Sequence, residues 1–194
     1  MYDLEDATNI PHRRKEPQPV SVAGLLGALW GIAGFSFFLG YAILRLLPVA
    51  LETFAYSLRW YHWAALGINL IMMAYLEGYR GFQKGFSPRM AARAKYLAYY
   101  PELLPVLLAP FYCVGYFRIS KKRQRAVIWL TIAIICFIFL IRFLDQPWRG
   151  IADAGVVVGL TWGLISLLIF TFRAFTPAGL DVSPEVPDTN RTNH

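Results

Sequence analysis

The chain has 194 residues, of which 57% are hydrophobic and 16% charged, against roughly 45–50% and 25% in soluble domains. A water-soluble protein of this size cannot bury that much apolar surface, which argues against a soluble domain, and we expect the excess to face lipid. The net charge of +7 comes without a nucleic-acid recognition motif, so we expect anionic lipid headgroups rather than nucleic acid as its partners.

A polar tail of residues 1–19 precedes the first apolar run. This run covers residues 20–44, and a helix of that length exceeds a hydrocarbon core of roughly 30 Å. Arg45 and Pro48 mark its expected end, where the arginine side chain can reach the membrane interface. The run therefore predicts a first spanning helix.

The second apolar run, residues 60–76, begins with aromatic residues of the interfacial type and predicts a second span. We expect the chain to leave the membrane at Glu77 and to form a basic interfacial loop over residues 78–100. Within this loop, Ser87 and Pro88 have the signature of a helix start. The pattern that follows predicts an amphipathic helix lying on the bilayer surface.

The third apolar run, residues 103–117, is too short to cross the hydrocarbon core and is interrupted by Pro105 and Pro110. We interpret it as a re-entrant or half-embedded helical hairpin. A basic loop follows it, and two further runs, residues 126–141 and 154–172, each predict a spanning helix.

The predicted fold class is therefore all-α and integral to the membrane. Residues 20–175 form a bundle of four transmembrane helices plus one short proline-containing hairpin, and the tails 1–19 and 176–194 are both cytoplasmic. This topology places fifteen Lys and Arg residues on the inner face and four on the outer face, as the positive-inside rule requires. The alternative, five spans, leaves ten and nine. The N-terminal tail lacks the pattern of a signal or transit peptide, which favours a bacterial inner membrane.

Two apolar runs carry glycines at helical spacing, which places the glycines of each run along one helix face. Small residues allow close backbone approach in lipid and so mark helix contacts. We expect the first and last helices to pack on each other through these faces, and a homo-oligomer or a membrane protein partner is the alternative. The glycines are Gly24, Gly27, Gly31 and Gly34 in the first run, and Gly155, Gly159 and Gly163 in the last.

The chain offers no recognisable catalytic set. It has three histidines, of which His12 and His194 lie in the tails, and it lacks paired His or Cys spacing and carboxylate clusters with ligand spacing. We therefore expect no catalytic residue, no bound metal and no cofactor, and we interpret His62 as an interfacial residue.

The segment from residue 77 to residue 89 combines glycines, aromatic residues and cations. Closely spaced glycines can expose backbone amides to an anion, and the cations supply charge. This segment predicts a site for lipid headgroups or another anionic ligand, while a membrane-exit turn with a charged collar is the alternative. The candidate residues are Glu77, Tyr79, Arg80, Lys84, Arg89 and Arg93.

Polar residues near membrane depth suggest a second type of site, because ionisable groups there are functional candidates. Asn69, Glu77 and Glu102 could line a transport path beside the proline-broken hairpin. The function favoured by the sequence is a non-enzymatic scaffold or accessory subunit of a membrane complex. A small transporter or channel and a lipid-modifying enzyme are the alternatives.

Overall fold

The computed structural model describes residues 20–176 and residue 182, so nearly all of both predicted tails lies outside the described residues. The described part is helical and contains no strand, as the predicted fold class requires. Three of its helices are long and apolar enough to cross a membrane, namely Val22–Ala55, Lys121–Arg142 and Trp148–Phe175. The α-helices are α1 (Val22–Glu52), α2 (Trp60–Met73), α3 (Ser87–Tyr99), α4 (Leu103–Leu107), α5 (Ala109–Val114), α6 (Lys121–Arg142) and α7 (Trp148–Phe175).

The first helix is longer than the sequence predicted. It passes through Arg45 and Pro48 and ends at Glu52. Its last turn is held by the connection that precedes α7, because the side chain of Gln146 donates to the carbonyl oxygen of Val49 at 3.3 Å. The helix therefore does not end at Arg45 and Pro48, as the sequence predicted, because this contact stabilises an additional turn.

The second and third helices are parts of one continuous helix. A π-helical segment, Ala74–Phe86, joins α2 to α3, and the backbone is helical at both junctions. We call residues 60–99 the long helix. The predicted exit from the membrane at Glu77 stays a prediction, since a helix can continue beyond the bilayer. The helix predicted after Pro88 is present as α3, but it does not start at Ser87, and the predicted loop over residues 78–100 is wrong because residues 78–86 are also helical. Burial of Met90 and its neighbours explains the difference, since tertiary packing overrides the local loop signals.

Three helices lie side by side along most of their length. At one end the backbone N–H of Ser21, next to α1, donates to the carbonyl oxygen of Ala98 in the long helix at 3.3 Å. At the other end Asn69 of the long helix donates to the carbonyl oxygen of Ile151 near the start of α7 at 2.7 Å. The long helix and α7 therefore run parallel to each other, and α1 runs antiparallel to both.

The proline-containing run forms two short helices, α4 and α5, separated at Leu108. Glu102, before α4, forms an ion pair with Arg118, after α5, so the two ends of this run lie together. The following helix, α6, has few contacts with the rest of the bundle, and Ile141 is its buried residue.

The buried core lies at the end of the bundle where α1 begins. There the first turns of α1, the long helix near its C-terminal end, and α5 close around a cluster of apolar side chains. Its members include Ala28, Ile32, Met90, Leu97, Tyr112 and Leu167. Large apolar side chains are exposed along the whole length of the bundle, as expected where lipid is the solvent.

Candidate functional site

The candidate site is a cavity of about 190 Å3 between the long helix, the end of α5 and the first turns of α6. Three arginine residues line it. Arg89 and Arg93 come from the long helix, one helical turn apart, and Arg123 comes from the first turn of α6. Gly81 and Gly85 form part of the wall where no side chain fills the space.

Arg93 is only 5% exposed. Its Nη1 donates to the carbonyl oxygen of Cys113 at 3.4 Å, in the last turn of α5. Such terminal carbonyls have no partner within their own helix, so a cation is favourable there. The charge of Arg93 is thus fixed in position before any ligand arrives.

The turn that brings α5 against Arg93 requires glycine. Gly115 ends α5 with a φ of 102°, a conformation that favours glycine. A Cβ at this position would also collide with the Arg93 guanidinium. Both facts make Gly115 part of the architecture of the site, and the sequence analysis did not single it out.

The residue types that line the cavity are those that bind anions. Among the residues that the structure describes, no Asp or Glu side chain lines the cavity. Arginine binds phosphate and carboxylate oxygens through paired, charge-assisted hydrogen bonds, and a partly buried setting strengthens them. The cavity is smaller than the roughly 300–1,000 Å3 of sites that enclose a drug-sized molecule, so it suits one anionic group of a larger ligand.

The six candidates from the segment 77–89 and its continuation do not form one site. Arg89 and Arg93 line the cavity. Arg80 and Lys84 are exposed, and Lys84 Nζ lies 4.6 Å from the centre of the Tyr79 ring. Glu77 faces α7 instead. A continuous helix distributes these side chains around its axis, whereas a loop could have gathered them.

Arg123 is the residue that the sequence analysis missed. A signal is present in the sequence, because the basic loop that follows residue 117 contains Arg123. The sequence does not indicate that this stretch lies close to the long helix. The return of the chain at Gly115 and the ion pair between Glu102 and Arg118 create that proximity.

The three transport-path candidates are likewise not one site. Asn69 and Glu77 both contact α7, at Gly155 and Gly159 respectively. Glu102 is exposed beside α4 and pairs with Arg118. In the described part of the chain, the three residues therefore do not line one common path.

The glycine faces meet different neighbours from those predicted. A Cβ at Gly24 would lie 2.5 Å from the carbonyl oxygen of Ala98, and Gly27, Gly31 and Gly34 face α4 and α5. On α7, Gly155, Gly159 and Gly163 face Asn69, Glu77 and Phe82 of the long helix. The first and last helices do pack on each other, as predicted. They do not pack through these glycines, since each glycine face is occupied by another element.

Comparison with models of known families, with characterised proteins and with solved structures finds no match for this chain.

Proposed function

We propose that this chain is an integral membrane protein that binds the headgroup of an anionic phospholipid in the cavity lined by Arg89, Arg93 and Arg123. The presence of three arginine residues in the lining of one small cavity is the observation that carries the proposal. Basic pockets between membrane helices are suited to the phosphate groups of anionic lipids such as cardiolipin.

The proposed topology has four crossings and a half-embedded hairpin formed by α4 and α5. The pairing of Glu102 with Arg118 supports it, because the hairpin then enters and leaves at one face. Under this topology the cavity lies toward the face that carries most Lys and Arg residues, which the positive-inside rule makes cytoplasmic. Both termini lie on that face, and a bacterial inner membrane is the proposed location.

The proposed role is that of a non-catalytic scaffold or accessory subunit whose assembly depends on lipid. The apolar surface of α6 is mostly exposed and is available to lipid or to a membrane protein partner. The fixed position of Arg93 suits stable binding of a headgroup. Among the described residues that line the cavity there is no paired carboxylate, and Cys113 is present as a buried thiol.

Lipid binding to the purified full chain tests the proposal. We expect phosphatidylglycerol or cardiolipin to raise the unfolding temperature in detergent, and phosphatidylcholine to leave it unchanged. Arg123→Gln should weaken the anionic lipid about tenfold or more, since a charged hydrogen bond contributes about 1.5–3 kcal/mol.

Arg125→Gln is the matched control, because Arg125 lies two residues later on α6 and is exposed. Equal losses in the two variants would contradict a defined site and indicate general charge attraction. Inorganic phosphate provides a further arm of the experiment. Equal stabilisation by phosphate and by lipid would identify a soluble phosphate compound, rather than a headgroup, as the ligand.

A further inference from the structure

A second polar site lies where the long helix packs on α7. Glu77 points at Gly159, and a Cβ added to this glycine would lie 2.5 Å from Glu77 Oε2. That oxygen is fully enclosed, and none of the described residues forms a hydrogen bond with it. The glycine thus provides the space into which the carboxyl fits.

The neighbouring polar groups are already engaged. Asn69, two turns earlier on the same helix, donates to the carbonyl oxygen of Ile151 at 2.7 Å. Trp162 Nε1 donates to Gln83 Oε1 at 2.8 Å. Neither of these donors is directed at Glu77, so Oε2 of this half-buried side chain is an enclosed oxygen that lacks a donor among the described residues.

The charged groups near the contact between the long helix and α7 do not neutralise the charge of a Glu77 carboxylate either. On α7, Asp153 is buried and pairs with Arg149 at 3.9 Å, and Arg173 lies near the other end of the helix. On the long helix, Arg80 and Lys84 are exposed. In the described part of the chain, none of these cations forms an ion pair with the Glu77 carboxylate.

An ionised carboxylate in an apolar helix contact, without a cation or a donor, is far more costly than the neutral acid. We propose that Glu77 is a proton-binding site inside the bundle, protonated while its Oε2 is enclosed against Gly159. The step is the reversible union of one proton with the carboxylate. This inference uses neither the arginine-lined cavity nor the proposed binding of lipid.

The π-helical segment gives this site a structural context. Glu77 lies within Ala74–Phe86, where hydrogen bonds reach one residue further back than in an α-helix. Turns of π-helix inside longer helices are frequent at functional sites.

Labelling with a hydrophobic carbodiimide tests the proposal, because this reagent reacts with protonated carboxyls in apolar surroundings. The full chain in lipid nanodiscs is treated at neutral pH, and the modified residue is located by peptide mass spectrometry. We expect Glu77 to be modified, and modification to fall as the pH is raised. Glu77→Gln should remove the labelled peptide. Glu102→Gln, at an exposed and ion-paired carboxylate, should leave the labelling of Glu77 unchanged.

Absence of label on Glu77 in the wild-type chain would overturn the proposal, and it can be scored even if Glu77→Gln does not fold. Protection of Glu77 by sodium but not by potassium at constant pH would also overturn it, because a metal cation would then be the ligand. A loss of lipid binding in Arg123→Gln with normal labelling of Glu77 would show that the two sites are independent.

Discussion

At the scale of the residue, the closest approach between helices is made possible by Gly24. A Cβ at this position would lie 2.5 and 2.6 Å from the carbonyl oxygens of Ala98 and Leu97, which are backbone atoms and cannot rotate away. Gly40, in the same helix, has no atom within 4 Å of such a Cβ. The two glycines therefore have the same chemistry in different surroundings.

We expect Gly24→Ala to lower the free energy of unfolding by about 1–3 kcal/mol, because α1 must move away from the long helix. Gly40→Ala should change it by no more than about 1 kcal/mol, in the stabilising direction, through helix propensity. Unfolding of both variants in the same detergent, followed by circular dichroism, measures the difference. Equal effects would mean that α1 does not approach the long helix this closely.

The glycine pattern also defines what the sequence could and could not predict at this scale. Spacing alone places Gly155, Gly159 and Gly163 on one face of a helix. It contains no information on which neighbour that face meets, because any helix with a suitable surface satisfies the pattern. The long helix occupies the face, and its side chains Asn69, Glu77 and Phe82 fill the space above the glycines.

At the scale of the element, the long helix is where local signals and the structure disagree. Three glycines, a Ser-Pro pair and several cations lie within residues 77–95 and are typical of a loop. The structure contains helix throughout, with Met90 and Leu97 buried against its neighbours. Burial of one face stabilises the helix more than the unfavourable local residues destabilise it.

Gly81→Pro distinguishes a continuous helix from a membrane-exit loop. Proline within a helix costs about 3 kcal/mol or more, so we expect this variant to lose its monodisperse, folded form. Leu58→Pro, in the non-helical connection before α2, is the control and should remain folded. Size-exclusion chromatography and helical content report both outcomes. Normal folding of Gly81→Pro would restore the interpretation of this region as a loop.

The proline-containing run that forms α4 and α5 was the more predictable part of the chain. Its short apolar run and the two prolines excluded a straight spanning helix. The break at Leu108 and the turn at Gly115 fit that expectation. Its partner surface on α1 could not be predicted, because the contact depends on the close approach of Gly27 and Gly31, which packing alone specifies.

At the scale of the whole molecule, the fold combines a buried core at one end with large apolar side chains that are exposed along the bundle. The membrane class follows from composition alone, since apolar content and helix length are properties of the sequence. The proximity of Arg89, Arg93 and Arg123 does not follow from composition. It arises because the turn between two helices brings residues of both helices to one cavity. Charge counting predicted only that these cations share a face of the membrane.

Cysteine accessibility tests the proposed topology. Lys122→Cys, at the start of α6, should react with a membrane-impermeant maleimide only after the cells are permeabilised, because four crossings place it in the cytoplasm. Asp145→Cys, in the connection between α6 and α7, should react in intact cells. The chain without an added cysteine is the background control, since Cys113 is buried and Cys136 lies within the apolar part of α6, where we expect lipid. Labelling of Lys122→Cys in intact cells would mean that residues 103–117 cross the membrane, giving five spans and moving Arg123 of the arginine-lined cavity to the outer face.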